Sequence, residues 1–219
     1  RGDAREDRRR HGRALNRAPQ PTPAPVMLLA YTRAVSPTLG ACELTHLERT
    51  PIDVSRAVAE HAAYELTLRR LGVTVRRLAP APHLPDAVFV EDTAVVFDEL
   101  AIITRPGAES RRPERRAVAE SLAAHRSLEI IEEPAMLDGG DVLVDGKRVY
   151  VGRSSRTNEA AIAQLARILH PLDYRVIPVD FRGCLHLKSA VARIGEGLLL
   201  LNPDWVEAGI FSGCRTLAV

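Results

Sequence analysis

Three short segments concentrate side chains of the kinds that bind a cation and move protons. They are residues 86–92 (DAVFVED), residues 137–141 (LDGGD) and residues 185–189 (LHLKS). A carboxylate accepts paired hydrogen bonds from a planar guanidinium, and histidine titrates near neutral pH. The three segments therefore predict an active site for a positively charged, guanidinium-like substrate.

The acidic residues of the first two segments are the predicted cation ligands. In the first segment Asp86, Glu91 and Asp92 bracket four apolar residues, and we predict a short strand whose ends present carboxylates. The alternative is that these acids cap the following turn. In the second segment two glycines allow the backbone to approach a ligand closely, so that Asp138 faces a cation or orients a proton donor. A tight turn into a hairpin is the alternative there.

A histidine and two arginines complete the candidate set. His186 alternates with Leu185 and Leu187 at the start of a predicted strand, so its side chain points away from them and can act as general acid or base. The alternative is a hydrogen-bonded histidine of the core. Arg111 and Arg156 stand at loop-to-helix junctions, where an arginine can bind a carboxylate, although arginines are also common on helix surfaces.

The predicted elements alternate extended apolar runs with amphipathic helices from Met27 onward. The first helix follows Thr50-Pro51 and ends at Gly72. Its predicted apolar face contains Ala57, His61, Tyr64, Leu68 and Leu71. Two further helices are predicted near residues 112–125 and 157–170, and a hairpin turns at Asp145-Gly146. A unit of two or three strands and a helix recurs about every 50 residues, which favours pseudosymmetric repeats in a ring over a doubly wound sheet.

Composition and charge limit the classes of function. The chain has 219 residues, 46% of them apolar and 26% charged, as in a globular protein with one sizeable core. Its net charge of +2 arises from residues 1–25, a basic and proline-rich segment predicted to be a disordered tail. The folded domain is predicted over residues 27–219. Its charge is balanced and aromatic residues make up only 4% of the chain, which argues against nucleic-acid binding.

The sequence contains no motif typical of a disulfide framework, a metal site or a nucleotide cofactor. The three cysteines, Cys42, Cys184 and Cys214, show no regular spacing, which indicates reduced thiols and a cytoplasmic protein. No CxxC or HExxH pair predicts a metal site, and no glycine-rich phosphate loop predicts a nucleotide. We therefore expect neither a metal nor a nucleotide cofactor. The apolar runs are too short to span a membrane.

Five motifs occur in an order that resembles one family. They are FVEDTAVV, ITRPGAESRRPE, LDGGDVL, VGRSSRTNEA and CLHLKS. Together they resemble the dimethylarginine dimethylaminohydrolases of the guanidine-modifying, or pentein, superfamily, over roughly Met27 to Asn202. The HLKS form resembles these hydrolases more than arginine deiminases, which usually carry an aspartate two residues after the histidine. The resemblance implies an α/β fold, namely a pentein-type α/β propeller of pseudosymmetric ββαβ modules, most of which this chain contains.

The same resemblance implies an activity and a role for each candidate residue. The activity is hydrolysis of Nω-methylated arginine to citrulline and methylamine or dimethylamine through a cysteine-bound intermediate. His186 is then the general acid/base and Asp138 its acidic partner. The implied substrate-binding residues are the acids Asp86, Glu91 and Asp92, the arginines Arg111 and Arg156 for the α-carboxylate, and Leu44 through its backbone. Acids at one end and arginines at the other suit a zwitterion that carries a guanidinium.

The sequence departs from this family in its cysteines. The family's nucleophilic cysteine lies in a fifth module near the C-terminus, and neither Cys184 nor Cys214 stands in a matching context. We therefore expect the chain to be incomplete at its C-terminus, with about four of five modules, and to lack hydrolase activity by itself. A ring that lacks one module exposes two flanks, which predicts association, for example as a homo-oligomer.

Three alternatives remain open from the sequence. One is another guanidine-modifying enzyme, either an arginine deiminase or an amidinotransferase. The second is a noncatalytic protein that binds an arginine analogue. The third is a structural domain in which every motif is a turn.

Overall fold

The computed structural model describes residues 28–45 and 47–219. The predicted tail and Met27 lie outside the described residues, so the predicted domain boundary stays a prediction. In chain order the elements are β1 (Leu29–Thr32), α1 (Val54–Arg70), β2 (Thr74–Arg77), β3 (Ala94–Val96), β4 (Leu100–Ile103), α2 (Arg115–Leu122), β5 (Ser127–Ile130), β6 (Val142–Asp145), β7 (Arg148–Arg153), α3 (Glu159–Leu169), β8 (Arg175–Asp180), α4 (Leu187–Ala190), β9 (Val191–Gly195), β10 (Leu198–Leu201) and β11 (Arg215–Ala218).

The strands form repeated units of one topology. Three sheets each contain an antiparallel hairpin and a third strand parallel to its second strand: β3-β4-β5, β6-β7-β8 and β9-β10-β11. The remaining sheet is the parallel pair β1-β2. In chain order the first unit contains β1-β2, the second β3-β4-β5, the third β6-β7-β8 and the fourth β9-β10-β11. A helix joins the parallel strands in three units, whereas a 3-10 helix, Ala208–Phe211, lies between β10 and β11. The predicted α/β fold with repeated strand and helix units is confirmed.

The largest core cluster lies between the second and third units. Helix α3 contributes Ala161, Ile162, Leu165 and Leu169, a spacing that places them on one face of the helix. Asn158 begins this helix, because its side chain accepts a hydrogen bond from the backbone N–H of Ala161 at 3.0 Å. The third helix therefore lies within its predicted range, and its apolar face holds together the sheets that carry the site.

Helix α1 is more exposed than its sequence pattern predicts. It begins after Asp53 rather than Thr50, because Asp53 caps it by accepting a hydrogen bond from Arg56. Tyr64 and Leu71, which were predicted to be buried, are 56% and 73% exposed. The helix covers a sheet of only two strands, which offers a narrow apolar face. Its one fully buried residue is instead the charged Glu65.

Glu65 can be buried because both strands of the adjacent sheet supply its partners. It accepts hydrogen bonds from Thr32 in β1 at 2.7 Å and from Nε and Nη2 of Arg77 in β2 at 2.8 and 2.7 Å. The Arg77 hydrogen bonds are the main reason that the pKa of Glu65 falls to about 2. A carboxylate with these partners ties α1 to both strands of its sheet.

Two other predicted elements take different forms. Residues 86–92 do not form a strand, since a 3-10 helix occupies Val90–Thr93. The second predicted helix divides into a 3-10 helix, Glu109–Glu114, and the shorter α2. The predicted hairpin is present, but Asp145 pairs with Arg148, so the two-residue loop begins at Gly146, whose φ is +58°.

Across the described part of the chain, the helices are too short or too polar to cross a bilayer.

Candidate active site

The three segments that the sequence singled out occupy equivalent places in successive units. Asp92 lies in the 3-10 helix before β3, Asp138 precedes the 3-10 helix Gly139–Asp141 before β6, and His186 precedes α4 before β9. One oxygen of each acid and one ring nitrogen of the histidine all lie within 4.8 Å of one another. The structure therefore brings together residues that are up to 94 positions apart in the sequence.

His186 does not begin a strand as predicted. It has an extended backbone and stands at the N-cap position of the short helix α4, and β9 begins only at Val191. The helix forms because the N–H of Leu187 donates to Asp141 Oδ1 at 3.0 Å and the Leu187 side chain is fully buried. Since residue 186 remains extended, its side chain still points away from that of Leu187, as the alternation predicted.

The paired glycines allow the site to be this compact. A Cβ atom on Gly140 would lie 2.7 Å from Cγ of His186 and 2.8 Å from Oδ1 of Asp92. A Cβ atom on Gly139 would overlap the carbonyl oxygen of Glu91. The Gly140 N–H also donates to Asp92 Oδ1 at 3.0 Å. The two glycines of LDGGD were expected to let the backbone approach a ligand. In the structure they let it approach Glu91, Asp92 and His186.

Asp138 is the most electrostatically unusual residue of the cluster. Its side chain is fully buried, and Oδ1 accepts a hydrogen bond from the Gly107 N–H at 2.9 Å. Oδ2 finds no hydrogen-bond donor among the described residues; Arg156 Nη1 and His186 Nε2 lie 3.8 and 3.9 Å away. Burial and the nearby Asp92 raise the pKa of Asp138 to about 6. A buried carboxylate oxygen without a hydrogen-bond donor can accept a hydrogen bond from a cation.

The two nitrogens of the His186 ring face different carboxylates. Nε2 lies 3.8 Å from Asp92 Oδ1 and 3.9 Å from Asp138 Oδ2, whereas Nδ1 lies 3.4 Å from Asp141 Oδ1. Burial alone would lower the pKa of His186, but the three acids outweigh burial and raise it. Sequence reasoning named Asp138 as the partner and missed Asp141, although Asp141 ends the same LDGGD motif.

Arg111 is held by acids inside the protein. Its Nη1 donates to Asp92 Oδ2 at 2.8 Å, and its Nε and Nη2 donate to Glu114 at 3.2 and 3.0 Å. Nη2 also approaches the backbone oxygens of Asp86 and Phe89. Burial would lower the pKa of Arg111, but Glu114 and Asp92 raise it. Sequence reasoning did not single out Glu114, which is 2% exposed.

The loop that carries Leu44 is bound from two sides. Both oxygens of Asp86 accept from the Glu43 N–H, at 3.2 and 3.1 Å, and burial raises the pKa of Asp86. Arg156 Nη2 donates to Thr45 Oγ1 at 3.0 Å. Two predicted substrate ligands therefore contact the residues on either side of Leu44, which is itself 37% exposed.

Glu91 differs from the other acids because it lies at the surface. Its carboxylate pairs with Lys188 Nζ at 2.6 Å, and its side chain is 69% exposed. Both residues line the open cavity of about 1160 Å³ that also contains Asp92, Gly140 and His186. The Lys188 ammonium thus neutralises one of the acids that line the cavity.

The environments of Cys184 and Cys214 disfavour thiolates. Cys184 Sγ donates to the His186 carbonyl at 3.3 Å, and burial raises its pKa. Cys214 Sγ lies 3.3 Å from Asp145 Oδ2, and burial together with Asp145 raises its pKa as well. Cys42 is buried. The ionised form of a thiol is the nucleophile, so these surroundings do not activate Cys184 or Cys214.

Comparison with known proteins shows the family of this chain. A family profile described as N,N dimethylarginine dimethylhydrolase, eukaryotic, matches residues 46–209. A protein from Streptomyces coelicolor named N(G),N(G)-dimethylarginine dimethylaminohydrolase is 44% identical over 172 residues, which cover 78% of this chain and 67% of that protein. The chain belongs to the dimethylarginine dimethylaminohydrolase family. It spans about two thirds of the length of this relative.

Solved structures agree with this assignment. A dimethylarginine dimethylaminohydrolase from Pseudomonas aeruginosa, a cysteine-to-serine variant in complex with citrulline, superposes with a TM-score of 0.82. It is 31% identical, and the match covers 88% of this chain and 76% of that one. A histidine-to-glycine variant of a dimethylarginine dimethylaminohydrolase, in an adduct with S-methyl-L-thiocitrulline, is 30% identical with a TM-score of 0.81 and the same two coverages. The fold of this chain is therefore that of the family.

The raised pKa of Asp138 predicts a specific dependence of stability on pH. Because the folded protein holds a proton on Asp138 up to about pH 6 and the unfolded chain releases it near pH 4, stability falls as pH rises between these values. Asp138→Asn removes this loss, since an amide carries no charge and can keep its oxygen toward the Gly107 N–H. We expect the variant to be more stable than the wild type by about 1–3 kcal/mol above pH 7 and nearly equal to it at pH 4.

Urea unfolding from pH 4 to pH 8, followed by the fluorescence of Trp205, measures this difference. The control is Asp204→Asn, because Asp204 is exposed and belongs to no acid cluster. The interpretation is wrong if the wild-type and Asp138→Asn curves run parallel over the whole pH range.

Proposed function

We propose that this chain binds Nω-methylated arginine and forms the acid, histidine and arginine part of a hydrolase that yields citrulline and methylamine or dimethylamine. The observation that carries the proposal is the buried pair Asp92 and Asp138, with one oxygen of Asp138 unpaired among the described residues and His186 beside it. A substrate guanidinium supplies a planar N–H donor for this oxygen of Asp138, which Arg156 approaches only to 3.8 Å. Membership of the family supports the same substrate class.

The two ends of the substrate are proposed to meet opposite charges. Asp92 and Asp138 receive the guanidinium, and Asp86 and Glu91 contribute negative charge nearby. Arg156 and Arg111 attract the α-carboxylate, and the backbone of Leu44 provides a further contact. Of the two arginines, Arg156 has fewer acidic partners, because Arg111 is already bound to Asp92 and Glu114. We therefore assign Arg111 chiefly to holding Asp92 in place.

The proposed reaction proceeds in two steps. A thiolate attacks the guanidinium carbon, and His186 donates a proton to the methylated nitrogen, so that the C–N bond breaks and the amine leaves. His186 then takes a proton from water, which attacks the same carbon and displaces the thiolate. One water is consumed, and the products are citrulline and the amine. The raised pKa of His186 suits a residue that gives a proton and then regains one.

The surroundings of Lys188 favour a methylated guanidinium over a free one. Lys188 occupies the position at which the related deiminases usually carry an aspartate, and its ammonium neutralises Glu91. Each methyl group removes one N–H donor from the guanidinium, so a methylated substrate needs fewer carboxylate acceptors than arginine does. Compared with those deiminases, this site has one carboxylate fewer and one ammonium more. It therefore matches a substrate whose guanidinium has fewer N–H donors.

Calorimetric titration of this chain with asymmetric dimethylarginine tests the proposed cation site. Asp92→Asn keeps an acceptor for the Gly140 N–H but removes the charge, so we expect affinity to fall by about 10- to 100-fold. Asp204→Asn is the matched control and leaves affinity unchanged. The proposal fails if the wild type does not bind, or if Asp92→Asn binds as tightly as the control. Free arginine, titrated in the same way, binds more weakly.

We further propose that none of Cys42, Cys184 and Cys214 is the attacking thiol. The contacts of Cys184 and Cys214 support this, since each thiol donates to an oxygen and has a raised pKa. Cys214, just before β11, also packs against Tyr150 of β7, and its Sγ lies 3.9 Å from the phenol oxygen. Hydrolysis then depends on a thiol that these three residues do not supply.

Citrulline formation from asymmetric dimethylarginine tests this second proposal. We expect this chain to form no citrulline above a blank without protein, and we expect Cys42→Ala, Cys184→Ala and Cys214→Ala to bind the compound like the wild type. Citrulline production that one of these substitutions abolishes would identify that cysteine as the nucleophile and overturn the proposal.

A further inference from the structure

We infer that Asp141 is a positioning residue that fixes the protonation pattern of His186 and couples it to the loop that carries Arg156. The functional meaning of this inference rests on the proposed role of His186 as general acid/base. The geometry itself does not depend on that role, because Asp141 lies outside the cavity and faces only protein groups.

The carboxylate of Asp141 is fully buried and is surrounded by donors. Oδ1 accepts from the Leu187 N–H at 3.0 Å and lies 3.4 Å from His186 Nδ1, for which it is the nearest carboxylate oxygen although the two are not aligned as a hydrogen bond. Oδ2 accepts from the hydroxyls of Ser154 and Thr157, both at 2.7 Å. Each oxygen therefore has two neighbours, and the side chain joins residues 186–187 to the loop 154–157.

This arrangement favours one tautomer of the neutral histidine. A carboxylate accepts hydrogen bonds and does not donate them, and Nδ1 lies closer to Asp141, at 3.4 Å, than Nε2 lies to Asp92 or Asp138, so Nδ1 is the nitrogen expected to carry the hydrogen. Nε2 is then left with its lone pair, and it is Nε2 that faces Asp92 and Asp138 in the cluster. Asp141 thereby directs the proton-accepting nitrogen toward the place where the substrate is proposed to react.

The other oxygen organises the loop 154–157. Ser154 Oγ donates to Asp141 and at the same time accepts from the backbone N–H groups of Arg156 and Thr157, at 2.9 and 3.1 Å. Thr157 Oγ1 also accepts from the Asp138 N–H at 3.2 Å. One buried carboxylate thus positions the histidine, the backbone of Asp138 and the arginine proposed to hold the far end of the substrate.

Nitrogen NMR of the protein labelled with ¹⁵N-histidine reads out this role directly. The His186 signals are assigned by their loss in His186→Gln. Above its pKa, wild-type His186 is expected to be the Nδ1–H tautomer. In Asp141→Ala the acceptor is gone, so we expect the Nε2–H tautomer, which can donate to the acids on that side. Asp141→Asn keeps an acceptor oxygen but removes the charge, so the pKa of His186 is expected to fall by about one unit while the fold is retained.

Two control variants separate positioning from general damage. Ser154→Ala removes a donor to Oδ2 and leaves the tautomer of His186 unchanged. Asp138→Asn removes a charge on the Nε2 side, so it lowers the pKa of His186 and also keeps the Nδ1–H tautomer. A merely structural role for Asp141 predicts lower stability without any change in tautomer or pKa.

The wild-type spectrum alone can overturn the inference. If His186 is an Nε2–H tautomer in the wild type, Asp141 does not set its protonation pattern, whether or not any variant folds. An unchanged pKa in folded Asp141→Asn has the same consequence. These results are independent of the proposed substrate: a chain that fails to bind dimethylarginine but shows the Nδ1–H tautomer contradicts the proposed function and leaves the positioning role intact.

Discussion

The burial of two like charges side by side is the constraint on which the rest of the site depends. Asp92 and Asp138 are almost inaccessible to water, and charged groups are stable in such surroundings only with partners. Arg111 and the Gly140 N–H satisfy Asp92, whereas Asp138 receives one N–H from Gly107. The remaining imbalance appears as a pKa of about 6 for Asp138. A bound cation would balance the charge of Asp138. The unfavourable burial of the acid pair therefore lies where it strengthens the binding of a guanidinium.

The repeated architecture explains how distant segments reach one point. In three successive units, the residues just before the first strand form a short helical turn, and each of these turns carries one part of the cluster. The glycines of LDGGD remove the side chains that would keep these turns apart. Asp141 then links the third unit to the fourth through Leu187 and His186. Pseudosymmetry therefore supplies the convergence, and a few specific contacts set the geometry.

Much of this arrangement could be predicted from the sequence, because the motifs contain the residue types that a guanidinium requires. The repeated units and the proximity of Asp92, Asp138 and His186 follow from the same motifs. The local conformation at residues 90–93 and 187–190 could not be predicted, since alternation does not distinguish a strand from a short turn fixed by distant contacts. Glu65 and Glu114 were missed for a related reason: their arginine partners, Arg77 and Arg111, are identified only when the chain is folded.

The most direct test of the buried acid pair is the number of protons released when asymmetric dimethylarginine binds at pH 6. Calorimetry in two buffers of different ionisation enthalpy measures this number. Because a cation stabilises the ionised form of Asp138, the account predicts release of about half a proton from this residue, affinity that rises between pH 5 and pH 7, and a smaller release in Asp138→Asn. Binding without proton release, or with an affinity that does not change over this pH range, would contradict the account.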